Sequence, residues 1–264
     1  MLGNLLRLVR YRGLIVSLVA RELKARYRGS VLGFFWSFIN PLLLLAIYSF
    51  IFLKILPNRE EALKPFPLFM ACGILPWTWF SASLTEASGS LIAGGNLIKK
   101  VLFPAEVLPL VSVLANMMHF LLALPVVVVL IVVFHRMPEG VGLVWFPGVM
   151  LVQLIFTAGL ALALAALTVH FRDIRDILAN VLMLWFFVTP IIYWYQQKEV
   201  QYYKEFFDLN PFSHLAIAYQ EILFFEGPFG HWKWIVALGV ASIGVFLAGY
   251  WLFDRLRDSF AEVV

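Results

Sequence analysis

Six apolar stretches of about 20 residues, with the lysines and arginines gathered mostly in the connections between them, constrain this chain more than any other feature. Hydrocarbon offers no water to pair a backbone N–H or C=O, so a stretch of that length satisfies itself as a helix. The stretches cover 33–56, 67–91, 107–134, 143–169, 177–195 and 234–253. Pro76 is expected to break the second, which also holds Glu86 among Ser81, Ser83, Thr85, Ser88 and Ser90. Charged residues make up 14% of the chain, against about 25% in a soluble domain. The expectation is an all-α membrane protein with six transmembrane helices.

Six crossings put both termini on one side. Of the 20 lysines and arginines, thirteen fall on that side and seven on the other, and this bias places the termini in the cytoplasm. The net charge of +4 then points to the anionic inner leaflet as partner, and no nucleic acid is expected. A signal peptide is the competing reading of the start. The apolar piece 14–20 is short for one and runs directly into Arg21-Glu22 without a convincing cleavage site.

The segment 14–28 reads as an N-terminal amphipathic interface helix. At about 100° per residue Ser17, Arg21, Lys24 and Arg28 share a narrow stripe, with Leu14, Ile15, Leu18, Val19, Leu23 and Tyr27 over the rest. A solvated cytoplasmic helix is the plainer alternative. Glu22 and Arg26, spaced i,i+4, can pair, and their place within the apolar arc implies cover by protein rather than lipid. Between the fifth and sixth stretches, 196–233 begins polar and turns apolar. Too short to cross and too apolar for a free loop, it is expected to re-enter the outer leaflet as short helices hinged at Asn210-Pro211 and Gly227-Pro228.

Motifs for intrinsic chemistry are missing. The glycine spacing of 89–94 continues into Gly95-Asn96 where a phosphate-binding loop needs Lys and Ser/Thr, and neither GxSxG nor HExxH occurs. The five histidines (His119, His135, His170, His214, His231) are scattered without ligand spacing, and Cys72 is alone, so neither a metal nor a disulfide is expected. Glu86 lies deep enough to need a partner. His119 is at a comparable level, and the pair reads either as structural or as part of a conduit lining. Aromatic residues are in excess. Phe34, Trp36, Phe38 and Tyr48 mark the first stretch and Trp185 and Tyr193 the fifth. Part of this belongs to the membrane interfaces; the deeper rings offer apolar faces to the C–H faces of sugars. The connection 94–104 mixes basic and apolar residues. Leu97, Ile98, Val101 and Phe103, expected to face water, call for lipid or a partner to cover them.

At these residues the chain resembles a known family. Arg21-Glu22-Leu23-Lys24-Ala25-Arg26-Tyr27-Arg28-Gly29-Ser30, followed by Trp36 and Asn40-Pro41, is similar to the entry to the first span in permease subunits of bacterial polysaccharide-exporting ABC transporters, the O-antigen and teichoic-acid exporters. Leu75-Pro76-Trp77, then Asn96-Leu97-Ile98-Lys99-Lys100-Val101-Leu102-Phe103-Pro104-Ala105-Glu106, then Arg172-Asp173-Ile174 with Thr189-Pro190 and Leu209-Asn210-Pro211 agree in order, so the resemblance covers 21–225. One departure is Thr189, where the family pattern carries serine.

The resemblance implies two identical permeases with two ATP-binding cassette subunits in the bacterial inner membrane, ATP and magnesium being held by those partners and no cofactor by this chain. The cargo would be a lipid-linked polysaccharide. It further implies that Asn96, Leu97, Ile98, Lys99, Lys100, Val101, Phe103 and Pro104 form a coupling helix docking on the ATPase, beside an interface helix carrying Arg21, Glu22, Lys24, Arg26 and Arg28. Phe34, Trp36, Phe38, Tyr48, Trp185 and Tyr193 would line a conduit between the first and fifth spans. The domain division is then a cytoplasmic segment 1–32, a membrane domain 33–255 with the coupling helix at 95–104 and an outer re-entrant segment at 196–231, and a tail 256–264. A membrane transferase acting on polyprenyl-linked sugars is the alternative from another class, and a small-molecule channel the third.

Overall fold

The computed structural model describes residues 11–55, 61–99, 103–138 and 140–260. Every regular element among them is helical: α1 (Arg12–Tyr27), α2 (Trp36–Phe50), α3 (Phe66–Ala93), α4 (Gly95–Ile98), α5 (Val107–Val133), α6 (Gly140–Leu143), α7 (Phe146–His170), α8 (Ile174–Phe187), α9 (Lys198–Gln201), α10 (Lys204–Asp208), α11 (Pro211–Leu223) and α12 (Trp232–Leu256). Four are long and apolar enough to cross a bilayer, α3, α5, α7 and α12 with its extension to Ser259.

The first and fifth stretches differ from the sequence expectation. The first is a 15-residue α-helix, α2, opened by a 3-10 turn at Gly33–Phe35 and closed by a π-helical turn at Ile51–Ile55. The fifth, expected over 177–195, is helical only over the 14 residues of α8, about 21 Å at 1.5 Å per residue against about 30 Å of hydrocarbon. Pro190 stops it: proline has no N–H to give and disfavours helical geometry in the residue before it. Pro76, expected to break the second stretch, does not. α3 runs continuously through it, and Gln153 of α7, fully buried, donates from Nε2 to the Pro76 carbonyl at 2.9 Å. That bond fastens α7 to α3 beside the proline, whose ring leaves the carbonyl four residues earlier, at Cys72, without its helical partner.

α3 is the axis of the molecule. It packs on α5, α7, α11, α2 and α8, and its aromatic rings knit those neighbours together. Trp79 stacks on Phe120 of α5 at 5.3 Å, Phe80 on Phe156 of α7 at 6.0 Å, and Trp77 meets Phe212 of α11 edge-on at 4.9 Å. α7 and α12 cross with their backbones touching. A Cβ on Gly159 would lie 2.6 Å from the Phe246 Cα, and one on Gly249 would collide with the Gly159 carbonyl. Small residues at such crossings replace the hydrophobic drive that lipid cannot supply.

Candidate functional site

Three features meet on the face where α1, α2 and α8 flank α3. The first is a polar knot. Arg26, from α1, grips Glu86 of α3 with Nη2 2.7 Å from both carboxylate oxygens, and its Nη1 donates to Asn116 Oδ1 of α5 at 3.2 Å. Asn116 Nδ2 closes the cycle on Glu86 Oε2 at 2.6 Å. Three helices are thus tied by charge-assisted bonds. The sequence places Glu86 deep and in need of a partner, with His119 one candidate; in the structure Glu86 accepts hydrogen bonds from Arg26 and Asn116. Arg26 reaches across 60 residues where i,i+4 pairing with Glu22 was open to it. Arg21, Lys24 and Arg28 stay exposed and Glu22 is half-buried, with Leu18 packing on Val107 and Val111 of α5.

The second feature is a groove of about 550 Å³ along α3, bounded by α2 and α8. Tyr48 and Leu44 come from α2, Leu182, Met183, Phe186 and Phe187 from α8, and Thr78, Ser81 and Thr85 form a polar stripe at its floor. Thr78 and Thr85 are exposed. Hydroxyls facing lipid are poorly served even when bonded to their own helix, as these are to Leu75 O at 2.8 Å and Ser81 O at 2.9 Å. Each oxygen keeps a spare acceptor lone pair, so the stripe can also bond water, a polar cargo or another protein surface against it.

The expected lining residues divide. Tyr48 borders the groove, stacked on Phe52 at 6.5 Å and tilted against Phe186 at 6.3 Å. Trp185 faces the interior: its Nε1 donates to Asn210 Oδ1 at 2.7 Å and its ring meets Phe80 edge-on at 5.3 Å. Trp36 lines a separate cavity of about 490 Å³ beside Arg26 and Asn40, with its Nε1 on Ser30 Oγ at 3.1 Å. Phe38 packs half-buried on the main core. Tyr193 donates to the Phe187 carbonyl at 3.0 Å. The backbone of Phe34 lies in the 3-10 turn, and its side chain is outside the described residues. Sequence reasoning missed the polar stripe as a lining, although the Thr78, Ser81, Thr85 spacing of three and four residues marks one helix face.

The third feature is the turn after α3. α4 spans only Gly95–Ile98, and Gly94 sits where a Cβ would strike the Leu108 side chain. Asn96 and Lys99 are exposed, whereas Leu97, Ile98 and Phe103 are half-buried and Pro104 is buried. The three apolar residues pack on a cluster that includes Leu91, Leu108, Val169, Phe253 and Phe260. The sequence expectation that they stand in water is therefore corrected, because their own chain covers much of them. Lys100 and Val101 fall outside the described residues. Beside the turn, Glu106 is buried 3.8 Å from Arg257, tying the turn to the end of α12.

On the side opposite this turn the structure joins two histidines that the sequence left scattered. His214 Nδ1 lies 2.9 Å from His231 Nε2, and His214 Nε2 lies 2.9 Å from the Asp208 carbonyl. A carbonyl only accepts, so His214 carries its proton on Nε2 and His231 donates to Nδ1, both rings neutral. Burial pushes both below the ordinary histidine value, His231 to about 4, where charge on His214 adds to the effect. Among the described residues no group of three potential ligands assembles into a metal site.

The comparisons with known proteins point one way. The family description "ABC-2 type transporter" matches residues 13–224. The chain is 40% identical to the O-antigen export system permease protein RfbA of Myxococcus xanthus, over 98% of this chain and the whole of that protein. It is 32% identical to the protein of the same name from Klebsiella pneumoniae over 95% of each. With the polysialic acid transport protein KpsM of Escherichia coli it shares 22% identity over 76% of this chain and 78% of that one.

Proposed function

The chain belongs to the ABC-2 type transporter family, and from that membership we propose how its helices carry out export. It is the membrane permease of a polysaccharide ABC exporter, and its relatives are named for O-antigen export and polysialic acid transport. In this reading the cargo is a polysaccharide on a lipid carrier, of the O-antigen, teichoic-acid or capsule type, moved outward across the bacterial inner membrane. Two copies form the conduit, and two separate ATP-binding cassette chains hold ATP and magnesium and supply the hydrolysis. Both termini lie in the cytoplasm.

The observation that carries the reading is the groove with its polar floor on α3, apolar walls from α2 and α8, and volume of about 550 Å³. Paired with its copy across the dimer axis, such a groove makes a continuous path. A long sugar polymer exceeds any chamber that two six-span halves enclose, so stepwise pulling along an open path fits it better than occlusion. Threonine and serine hydroxyls can exchange hydrogen bonds with successive sugars while Tyr48 offers a ring face. In this account α2 with its π turn and α8 with the segment that follows it complete six crossings, and 196–231 dips into the outer leaflet. The turn at 95–104 docks on the ATPase with Asn96 and Lys99 outermost, and α1 lies at the inner surface with Arg21, Lys24 and Arg28 toward the headgroups.

The test is reconstitution in vesicles with the ATP-binding cassette protein encoded beside it and a lipid-linked glycan. ATP-dependent delivery of glycan to the far side, absent when either chain is left out, is the expected result. Glycan transfer by this chain alone, without ATP, would replace the reading with the transferase.

A further inference from the structure

The C-terminal end of α8 and the N-terminal end of α11 share one set of caps. Asn210 precedes α11 and is 8% exposed. Its Oδ1 accepts from the Phe212 backbone N–H at 3.0 Å, the ordinary N-cap bond, and also from Trp185 Nε1 at 2.7 Å. Its Nδ2 donates to the Val188 carbonyl at 3.2 Å and to Thr189 Oγ1 at 3.1 Å. The Thr189 hydroxyl in turn donates to the Trp185 carbonyl at 2.8 Å. One amide therefore spends its acceptor on starting α11 and on α8, and its donors on ending α8. The last carbonyls of a helix lack partners of their own, and Pro190 prevents the chain from supplying them by further turns.

Two more contacts hold the same junction. Gln220, 2% exposed on α11, donates from Nε2 to the Pro190 carbonyl at 2.9 Å. Ile191 is fully buried and passes Gly73 of α3 so closely that a Cβ there would lie 3.3 Å from the Ile191 Cα. The exit from α8 is thus seated between α3 and α11, and the polar bonds that hold the seat are made by uncharged groups.

We propose that Asn210 is a positioning residue that makes the distal end of α8 and the outer helix α11 move as one body, so that a shift of the groove wall is passed to the outer exit. The proposal rests on the reading of α8 as a conduit wall. An N-cap alone needs only the Phe212 bond; the three bonds to Trp185, Val188 and Thr189 serve the junction. Substituting a residue that still caps separates the two roles. Serine caps as well as asparagine but is too short to span to α8, and aspartate caps and accepts but cannot donate to the Val188 carbonyl.

The experiment uses the assembled permease and ATPase in nanodiscs carrying bilayer lipid. Amide hydrogen exchange is followed for the segments 185–195 and 205–215 with and without ATP, beside export and ATP hydrolysis. In the unaltered protein both segments are expected to change exchange together on ATP addition. In Asn210→Ser and Asn210→Asp only 185–195 is expected to respond, with ATP hydrolysis within about twofold of the unaltered protein and export lowered about tenfold. Joint responses of the two segments in both variants would overturn the clamp, whatever export does. Separated responses with undiminished export would uphold the clamp and instead remove α8 from the conduit. Should Asn210→Ser fail to assemble, Asn210→Asp reads the same quantities, since it keeps the Phe212 cap and loses the two donor bonds to Val188 and Thr189.

Discussion

α3 and α8 are neighbours, yet eighteen of the 28 residues of α3 are buried and only Leu178 and Leu182 among the 14 of α8. α3 is surrounded by its own chain. α8 turns Ile177, Val181, Met183, Leu184 and Phe187 outward, and α2 does the same with Leu42, Leu43, Ile47 and Phe50. Apolar exposure alone would suit lipid, as it does on α12, where Val236, Val240 and Ile243 face out. What separates the two kinds of surface is the polar stripe beside α8, whose spare acceptors lipid would leave unused. In the proposed reading one region carries the fold and the other the path, and a substitution should reveal which it strikes.

The strongest blow to the interior falls at the α7–α12 crossing. Gly249→Val puts a branched side chain against the Gly159 backbone, and overpacking without room to shift costs about 3 kcal/mol. Loss of folded protein, read as recovery of monodisperse material from membranes, is the expected outcome. Normal yield and melting temperature would mean that the helices do not touch there.

How much of this division the sequence displayed follows from what sets each element. Length and apolarity located α3, α5, α7 and α12, because a bilayer imposes both along the chain itself. The extent of α8 is hidden in the sequence: 177–195 carries no charge, and Ile191 and Ile192 continue the apolar run beyond the proline that stops the helix. Pro76 points in the other direction, since α3 runs through it while packed against α7, whose Gln153 bonds it from 77 residues away. Trp185 looked like a lining ring by depth alone, and its partner Asn210 is 25 residues further on. The Arg26–Glu86–Asn116 knot and the His214–His231 pair are likewise products of tertiary contact, invisible to periodicity.

A second substitution tests the knot that fastens α1 to the interior. Arg26→Met strands Glu86 and removes bonds to a charged group, for about 2 kcal/mol. Arg26→Met with Glu86→Met should recover much of that loss, because both charges go together. A double-mutant cycle on the melting temperature reads the coupling, and additive effects would contradict it.

The most gradual effect, spread over two pH units, belongs to the histidine pair at the edge between α11 and α12. Its folded pKa values lie below the unfolded value of about 6.5, so the neutral pair stabilises the fold above that pH. That stability is lost as pH falls from about 6.5 toward the value of about 4 for His231. Asp208 opposes the shift on both rings. Glu221 is occupied by the Gly230 and His231 backbone N–H groups, Lys233 lies over the Trp232 ring, and Trp234 stacks on His214 at 4.4 Å. Stability, followed through the melting temperature, should fall between pH 6.5 and 4.5 by about 1 kcal/mol per pH unit, and less steeply in His231→Gln. An equal fall in both proteins would place the acid sensitivity elsewhere.

The central claim is that the groove beside α8 is a polar path and the outer face of α12 is not. Cys72, the sole cysteine, is buried, so its replacement by serine gives a silent background for Thr85→Cys and Met183→Cys in the groove and Val240→Cys on α12. In the assembled exporter a membrane-impermeant thiol reagent should label positions 85 and 183 and spare 240, and a glycan stalled in transit should protect the first two. Labelling of 240 alone, or groove labelling that a stalled glycan leaves unchanged in a working exporter, would contradict the account.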